Sequence, residues 1–132
     1  MVLMNNKKNV WNGRAKSFSY ALGGLLTLFK DQPNARIHVV AAIMAIAMGL
    51  FLGISSVEWI LICLCITLVI SAEAFNSSLE YIADFVCAEK HHLIKKAKDV
   101  AAGAVLLTAI FSVVTGLFIF LPKLLLLFKN SL

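Results

Sequence analysis

Residues 37–75, IHVVAAIMAIAMGLFLGISSVEWILICLCITLVISAEAF, contain Glu58 and Glu73 as their only carboxylates and no Lys or Arg. Residues 101–128 are nearly as apolar, broken only by Lys123 among charged residues. Two stretches of this length cannot both be hidden in the core of a 132-residue chain, so their solvent is expected to be lipid. The turn Gly53–Ser56 divides the first stretch. Residues 37–54 make a first span, short but sufficient for a thin bilayer, and residues 57–84 a second that runs beyond the membrane. Ser55 and Glu58 have the spacing of a capping box at the start of the second helix, and Trp59 stands where an interfacial aromatic anchor belongs. The third span is expected over residues 99–121, with Pro122 at its end.

Charge is segregated accordingly. Of the twelve Lys and Arg residues, all but Lys123 and Lys129 lie before residue 37 or between residues 90 and 98. That is the positive-inside pattern, so the N-terminus and the loop between spans two and three are expected in the cytosol. The basic pI then reflects inner-leaflet contact. Nucleic-acid binding is excluded, because no basic stretch is interleaved with aromatics. The N-terminal residues have no apolar core followed by a small-residue cleavage site, so no signal peptide is expected. Within residues 14–30, Phe18, Leu22, Leu25 and Phe29 recur at helical spacing between polar residues, which predicts an amphipathic helix lying in the membrane interface. A helix packed on a soluble partner is the second reading. The whole chain, 1–132, thus reads as one domain of an all-α membrane protein: three transmembrane helices and an N-terminal amphipathic surface helix.

Ala41, Ala45, Gly49 and Gly53 fall at every fourth position of the first span, and Ala104, Thr108, Ser112 and Gly116 do so in the third. Such stripes let helices approach closely in lipid and point to a homo-oligomer. Cys63 and Cys65 point in different directions on a helix and read as core residues, and Cys87 falls in the cytosolic segment, where thiols stay reduced.

The chemistry is concentrated in SAEAFNSSLEYIADF, residues 71–85. Glu80 lies seven positions after Glu73, about 20° short of two turns, and Asp84 lies about 20° past three. Asn76 and Ser77 fall between them, so five polar groups form one ridge on an apolar helix. Counted from Trp59, Glu73 lies about 21 Å along the axis, still among acyl chains, whereas Glu80 at about 31 Å reaches the headgroups. A carboxyl at such depth marks a functional site more often than a protonated carboxyl bonded across helices. Glu80 and Asp84 are like charges one turn apart. They are either solvated acids or ligands of a hard divalent cation such as Mg²⁺. Lys98, at the foot of the third helix, can neutralise phosphate oxygens or simply snorkel. His91 and His92 read as loop residues. No P-loop is present.

The chain resembles the small prokaryotic diacylglycerol kinase family, which includes the undecaprenol kinases. The resemblance is carried by the run from Glu73 through Asn76 and Glu80 to Asp84, then His91 and Ala97-Lys98-Asp99. Ser17 to Gly24, Asn34-Ala-Arg36-Ile-His38 and Glu58-Trp59 add to it, and it covers residues 14–123. What the resemblance implies is a homotrimeric lipid kinase of the bacterial inner membrane that transfers phosphate from Mg²⁺-ATP, entering from the cytosol, to a membrane-embedded alcohol. Glu73 would be the catalytic base. Glu80 would hold Mg²⁺ and, with Asn76, organise the phosphates, while Lys98 and Asp99 contact the nucleotide with Asp84 and Tyr20 near it. The family usually has a Glu four residues before the matching Arg36, sharing the metal with Glu80. Here that position is Gln32, an amide that can ligate Mg²⁺ without supplying charge, with Asp31 beside it.

Diacylglycerol, giving phosphatidic acid, is the expected acceptor, with undecaprenol the alternative. The distant alternative is a small proton-coupled transporter. That reading predicts one mid-membrane acid and no polar ridge extending outward, and Glu80, Asp84, Lys98 and Asp99 count against it. A non-catalytic assembly subunit would explain the small-residue stripes but not the deep carboxyl.

Overall fold

The computed structural model describes residues 2–87, 89 and 91–130, without the side chains of residues 2–12, 15 and 130. The basic residues Lys7, Lys8 and Lys90 therefore lie outside the described side chains. Four α-helices follow one another: α1 (Val2–Asp31), α2 (Pro33–Leu52), α3 (Ser56–Val86) and α4 (His92–Asn130). Helix α1 with Pro33 forms one compact unit and residues 34–132 a second.

In the first unit, α1 is a continuous helix reaching beyond the expected residues 14–30 at both ends. Phe18, Tyr20, Leu22, Leu25 and Leu26 are exposed along it. Gln32 is the single non-helical residue before Pro33, and its N–H still donates to the Leu28 carbonyl at 3.0 Å. Proline at the first position of α2 loses no hydrogen bond, because the first N–H groups of a helix have no intrahelical acceptor.

The second unit holds the three helices long and apolar enough to cross a membrane. Only 11%, 22% and 11% of their most apolar windows are buried, so most of their Leu, Ile, Val and Phe side chains face outward. In water that surface would drive aggregation; in a bilayer it is the solvated surface. The turn between α2 and α3 is tight. Gly53 has φ +59°, a left-handed conformation that suits glycine, and the Ile54 N–H reaches back to the Gly49 carbonyl at 3.2 Å to close α2. Ser55 then caps α3: its Oγ accepts from the Glu58 N–H at 3.3 Å, and its own N–H donates to Glu58 Oε2 at 2.7 Å. Lys123 of α4 pairs with the same Glu58 carboxylate at 3.2 Å. Pro122 lies inside α4 and does not end it. Its ring leaves the Phe118 carbonyl without the usual N–H donor, a loss that membrane helices tolerate.

Helices α3 and α4 are the closely packed pair. Near the turn, α2 joins them through Ala45, Met48 and Leu52, packed against a cluster of Ile54, Ile62, Ile119 and Phe120. Farther from the turn α2 stands off. A cavity of about 330 Å³ lies there, lined by Ala41, Ala42 and Ala45 of α2, Ile62, Cys65 and Val69 of α3, and Ser112, Gly116 and Phe120 of α4 among others. The small-residue stripes are thus partly used within one chain. Gly49 meets Trp59, and Ser112 and Gly116 line the cavity. Of the cysteines expected in the core, Cys65 is buried and Cys63 is exposed on the outer face of α3, with no disulfide.

A Cβ on Gly49 would lie 2.9 Å from Trp59 Cη2 and 3.0 Å from Ile54 Cδ1, so α2 crosses α3 here only because residue 49 has no side chain. Gly49→Val is expected to destabilise the protein by about 1–3 kcal/mol, read as a lower unfolding midpoint in detergent. An unchanged midpoint would mean that the indole moves aside freely.

Candidate active site

The polar ridge of α3 begins in the bilayer-spanning part of the helix. Glu73 is 2% exposed and Asn76 and Ser77 are buried with it. The Ser77 hydroxyl donates to the Glu73 main-chain carbonyl at 2.8 Å, satisfying itself within the helix. Glu80, one turn beyond Asn76, is half-buried, and Asp84 is exposed. Along the ridge itself, burial thus decreases from Glu73 to Asp84.

Asn76 Nδ2 donates to Glu80 Oε1 at 3.0 Å. A carboxylate accepts only, so this bond fixes the amide with its NH₂ toward Glu80 and its oxygen away. That oxygen, Oδ1, is buried without a hydrogen-bond partner. Asn76 thus offers an acceptor next to a carboxylate. Of the two groups, the Glu80 carboxylate is the one that suits Mg²⁺, which needs one or two protein carboxylates plus water and phosphate oxygens. Asn76 Oδ1 is turned away from that carboxylate. Among the described residues no group of three or more His, Cys, Asp and Glu forms a metal cage. Gln32, the other candidate ligand, closes α1, in the other compact unit from Glu80.

The repulsion expected between Glu80 and Asp84 is met by protein partners. Asn76 engages Glu80, while Lys98 Nζ pairs with Asp84 Oδ1 at 2.7 Å. Lys98 is thus an ion-pair partner joining the foot of α4 to the end of α3. Asp99 pairs with Lys95 at 2.7 Å, one turn back on its own helix. A cavity of about 690 Å³ at this end is lined by Asp84, Lys98 and Asp99 together with Cys87, Glu89, His91, His92 and Lys95. The imidazoles of His91 and His92 are stacked there, with centroids 4.9 Å apart. Tyr20, the remaining sequence candidate, is exposed on α1.

A separate cavity of about 300 Å³ reaches Glu73 and Asn76. From α2 it is lined by Asn34, Ile37 and His38, and from α4 by Ala102, Val105, Leu106 and Ala109. Sequence reasoning gave His38 no role. The signal was present: an imidazole inside an apolar span, where polar groups are expensive and face the bundle interior.

The model of the prokaryotic diacylglycerol kinase family matches residues 19–120. Undecaprenol kinase of Bacillus subtilis strain 168 is 38% identical over 117 residues, covering 89% of this chain and 95% of the relative. A diacylglycerol kinase of Synechocystis is 37% identical over 123 residues, covering 90% and 70%. The diacylglycerol kinase of Escherichia coli K12 is 29% identical over 100 residues, covering 76% and 82%. The matched segment contains the whole ridge, Lys98, Asp99 and Gln32.

Replacing Asn76 by Leu removes the unpartnered Oδ1 and also the NH₂ that donates to Glu80. Relief of the buried acceptor offsets part of the lost bond, so stability in detergent is expected to fall by about 1 kcal/mol or less. A loss of about 3 kcal/mol or more would show that Oδ1 is bonded as well in the assembled protein.

Proposed function

Because the chain belongs to the prokaryotic diacylglycerol kinase family and is a lipid kinase, we propose that Glu73 is the base that activates the lipid hydroxyl. The observation that carries this reading is a carboxyl 2% exposed inside a spanning helix that still borders a cavity. A lipid whose headgroup is a bare alcohol can bring its hydroxyl to that depth. The triphosphate of ATP cannot follow, and it is met instead at the charged end of the ridge.

In this scheme the Glu73 carboxylate takes the hydroxyl proton as the alcohol oxygen attacks the γ-phosphorus and the bond to ADP breaks. Lys98, released from Asp84 or shared with it, faces the phosphates, and Asp84, Asp99 and Tyr20 contact the nucleotide. Asn76 and Glu80 hold the phosphate end in register. Glu80 with Gln32 would hold Mg²⁺, which supplies charge neutralisation on the phosphate oxygens. Such transfer depends mostly on positioning and electrostatics, so this small set of groups is sufficient.

The segregated charge supports an orientation with the N-terminus and the charged end of α3 in the cytosol of a bacterial inner membrane. The outward-facing apolar helices and their small-residue stripes support assembly of several copies, and a homotrimer is what the family resemblance implies. The name of the family and of several relatives supports diacylglycerol as the acceptor. Undecaprenol is the second reading, favoured by the near full-length match to the Bacillus subtilis undecaprenol kinase.

Two measurements test these assignments. Labelled phosphate from MgATP is expected to appear in diacylglycerol or in undecaprenol when both are offered side by side, and to be lost in Glu73→Gln. Transfer that survives in Glu73→Gln would remove the base. Gln32→Glu restores a charged ligand and is expected to lower the Mg²⁺ concentration at half-maximal activity. An identical Mg²⁺ dependence would take Gln32 out of the metal site.

A further inference from the structure

Of the side chains lining the cavity at Glu73, His38 of α2 is the one other titratable group. The α4 wall is wholly apolar, and Asn34 and Asn76 are neutral amides. His38 and Glu73 line this one cavity from two different helices. His38 is half-buried and also lines the larger apolar cavity between α2, α3 and α4, so its ring stands where the two cavities meet.

We propose that His38 is a positioning residue for Glu73 that takes up its proton between turnovers. The inference rests on Glu73 being the base. Once Glu73 holds the hydroxyl proton it is a neutral carboxylic acid, and it must lose that proton before the next lipid reacts. At 2% exposure it has almost no direct contact with the surroundings. Asn76 is an amide and accepts no proton at neutral pH, and its NH₂ already engages Glu80. Glu80, the next carboxylate of the ridge, lies two turns away along α3.

An imidazole suits the task because it takes a proton at one ring nitrogen and gives one up from the other. In the step proposed, the Glu73 O–H bond breaks and an N–H bond forms on His38. The electron pair stays on the carboxylate, which is ready again. The imidazolium then passes a proton to water. The ring also holds the carboxyl toward the cavity, where the alcohol arrives.

The test uses the full chain in mild detergent, with MgATP and the lipid alcohol that the parent protein phosphorylates. His38→Gln keeps a polar side chain but cannot relay. Its kcat is expected to fall about tenfold or more. KM for ATP and lipid should stay within about twofold. Should His38→Gln fail to assemble, His38→Ala carries the same test: added imidazoles restore turnover in proportion to their basicity. A parent-like kcat in His38→Gln, a loss confined to KM, or no rescue of folded His38→Ala would each overturn the relay. Glu73→Gln separates the two readings. If it is inactive while His38→Gln matches the parent, only the relay falls. If it is active, the base assignment falls and the relay with it.

Discussion

A carboxyl placed among acyl chains needs protein around it, because lipid offers no hydrogen bonds and screens no charge. Glu73, Asn76 and Ser77 meet that need by turning inward on α3, against the wall that α4 supplies. The close pairing of α3 and α4 follows from this requirement as much as from apolar packing. Within lipid there is little hydrophobic force to bring two Leu-rich helices together. A buried polar ridge gives them a reason to associate in one particular rotation. It also explains why the outer faces of all three spans are left to lipid.

The ridge changes character along its length. Its deep end carries a carboxyl able to handle a proton; its shallow end carries charges able to handle phosphate. Partners change with it. Ser77 turns to the main chain, Asn76 to Glu80, and Asp84 to Lys98 across the helix pair. In the proposed reading, proton and phosphate chemistry at two depths would let one short helix serve a substrate dissolved in lipid and another dissolved in water. Exposed pairs such as Lys95–Asp99 contribute little to stability. They keep carboxylates and ammonium groups available for exchange with a charged ligand at small cost.

Helix α2 is anchored to the pair near the turn. Gly53 and the Gly49–Trp59 crossing hold it against the pair, and beyond them two cavities open between α2 and its neighbours. An alcohol group has room there beside Glu73. The same geometry puts His38 on the wall of the cavity that Glu73 borders.

Much of this was legible in residues alone. Hydropathy marks the spans because a bilayer accepts nothing else, and the 3.6-residue period aligns Glu73, Asn76, Ser77, Glu80 and Asp84 whatever surrounds them. The Ser55–Glu58 cap was legible for the same reason: both partners lie within one turn. Across helices, local rules are silent. No periodicity tells that Lys98 pairs with Asp84, that Asn76 keeps its oxygen free, that Cys65 is buried while Cys63 is not, or that α4 continues through Pro122. Nor does it tell that His38 and Glu73 line one cavity, since that depends on how far α2 stands from α3. The identities and depths of the polar groups were therefore properties of the sequence. Their partners were decided by tertiary structure, because the rotation and separation of packed helices are set by many weak contacts between residues far apart in the chain.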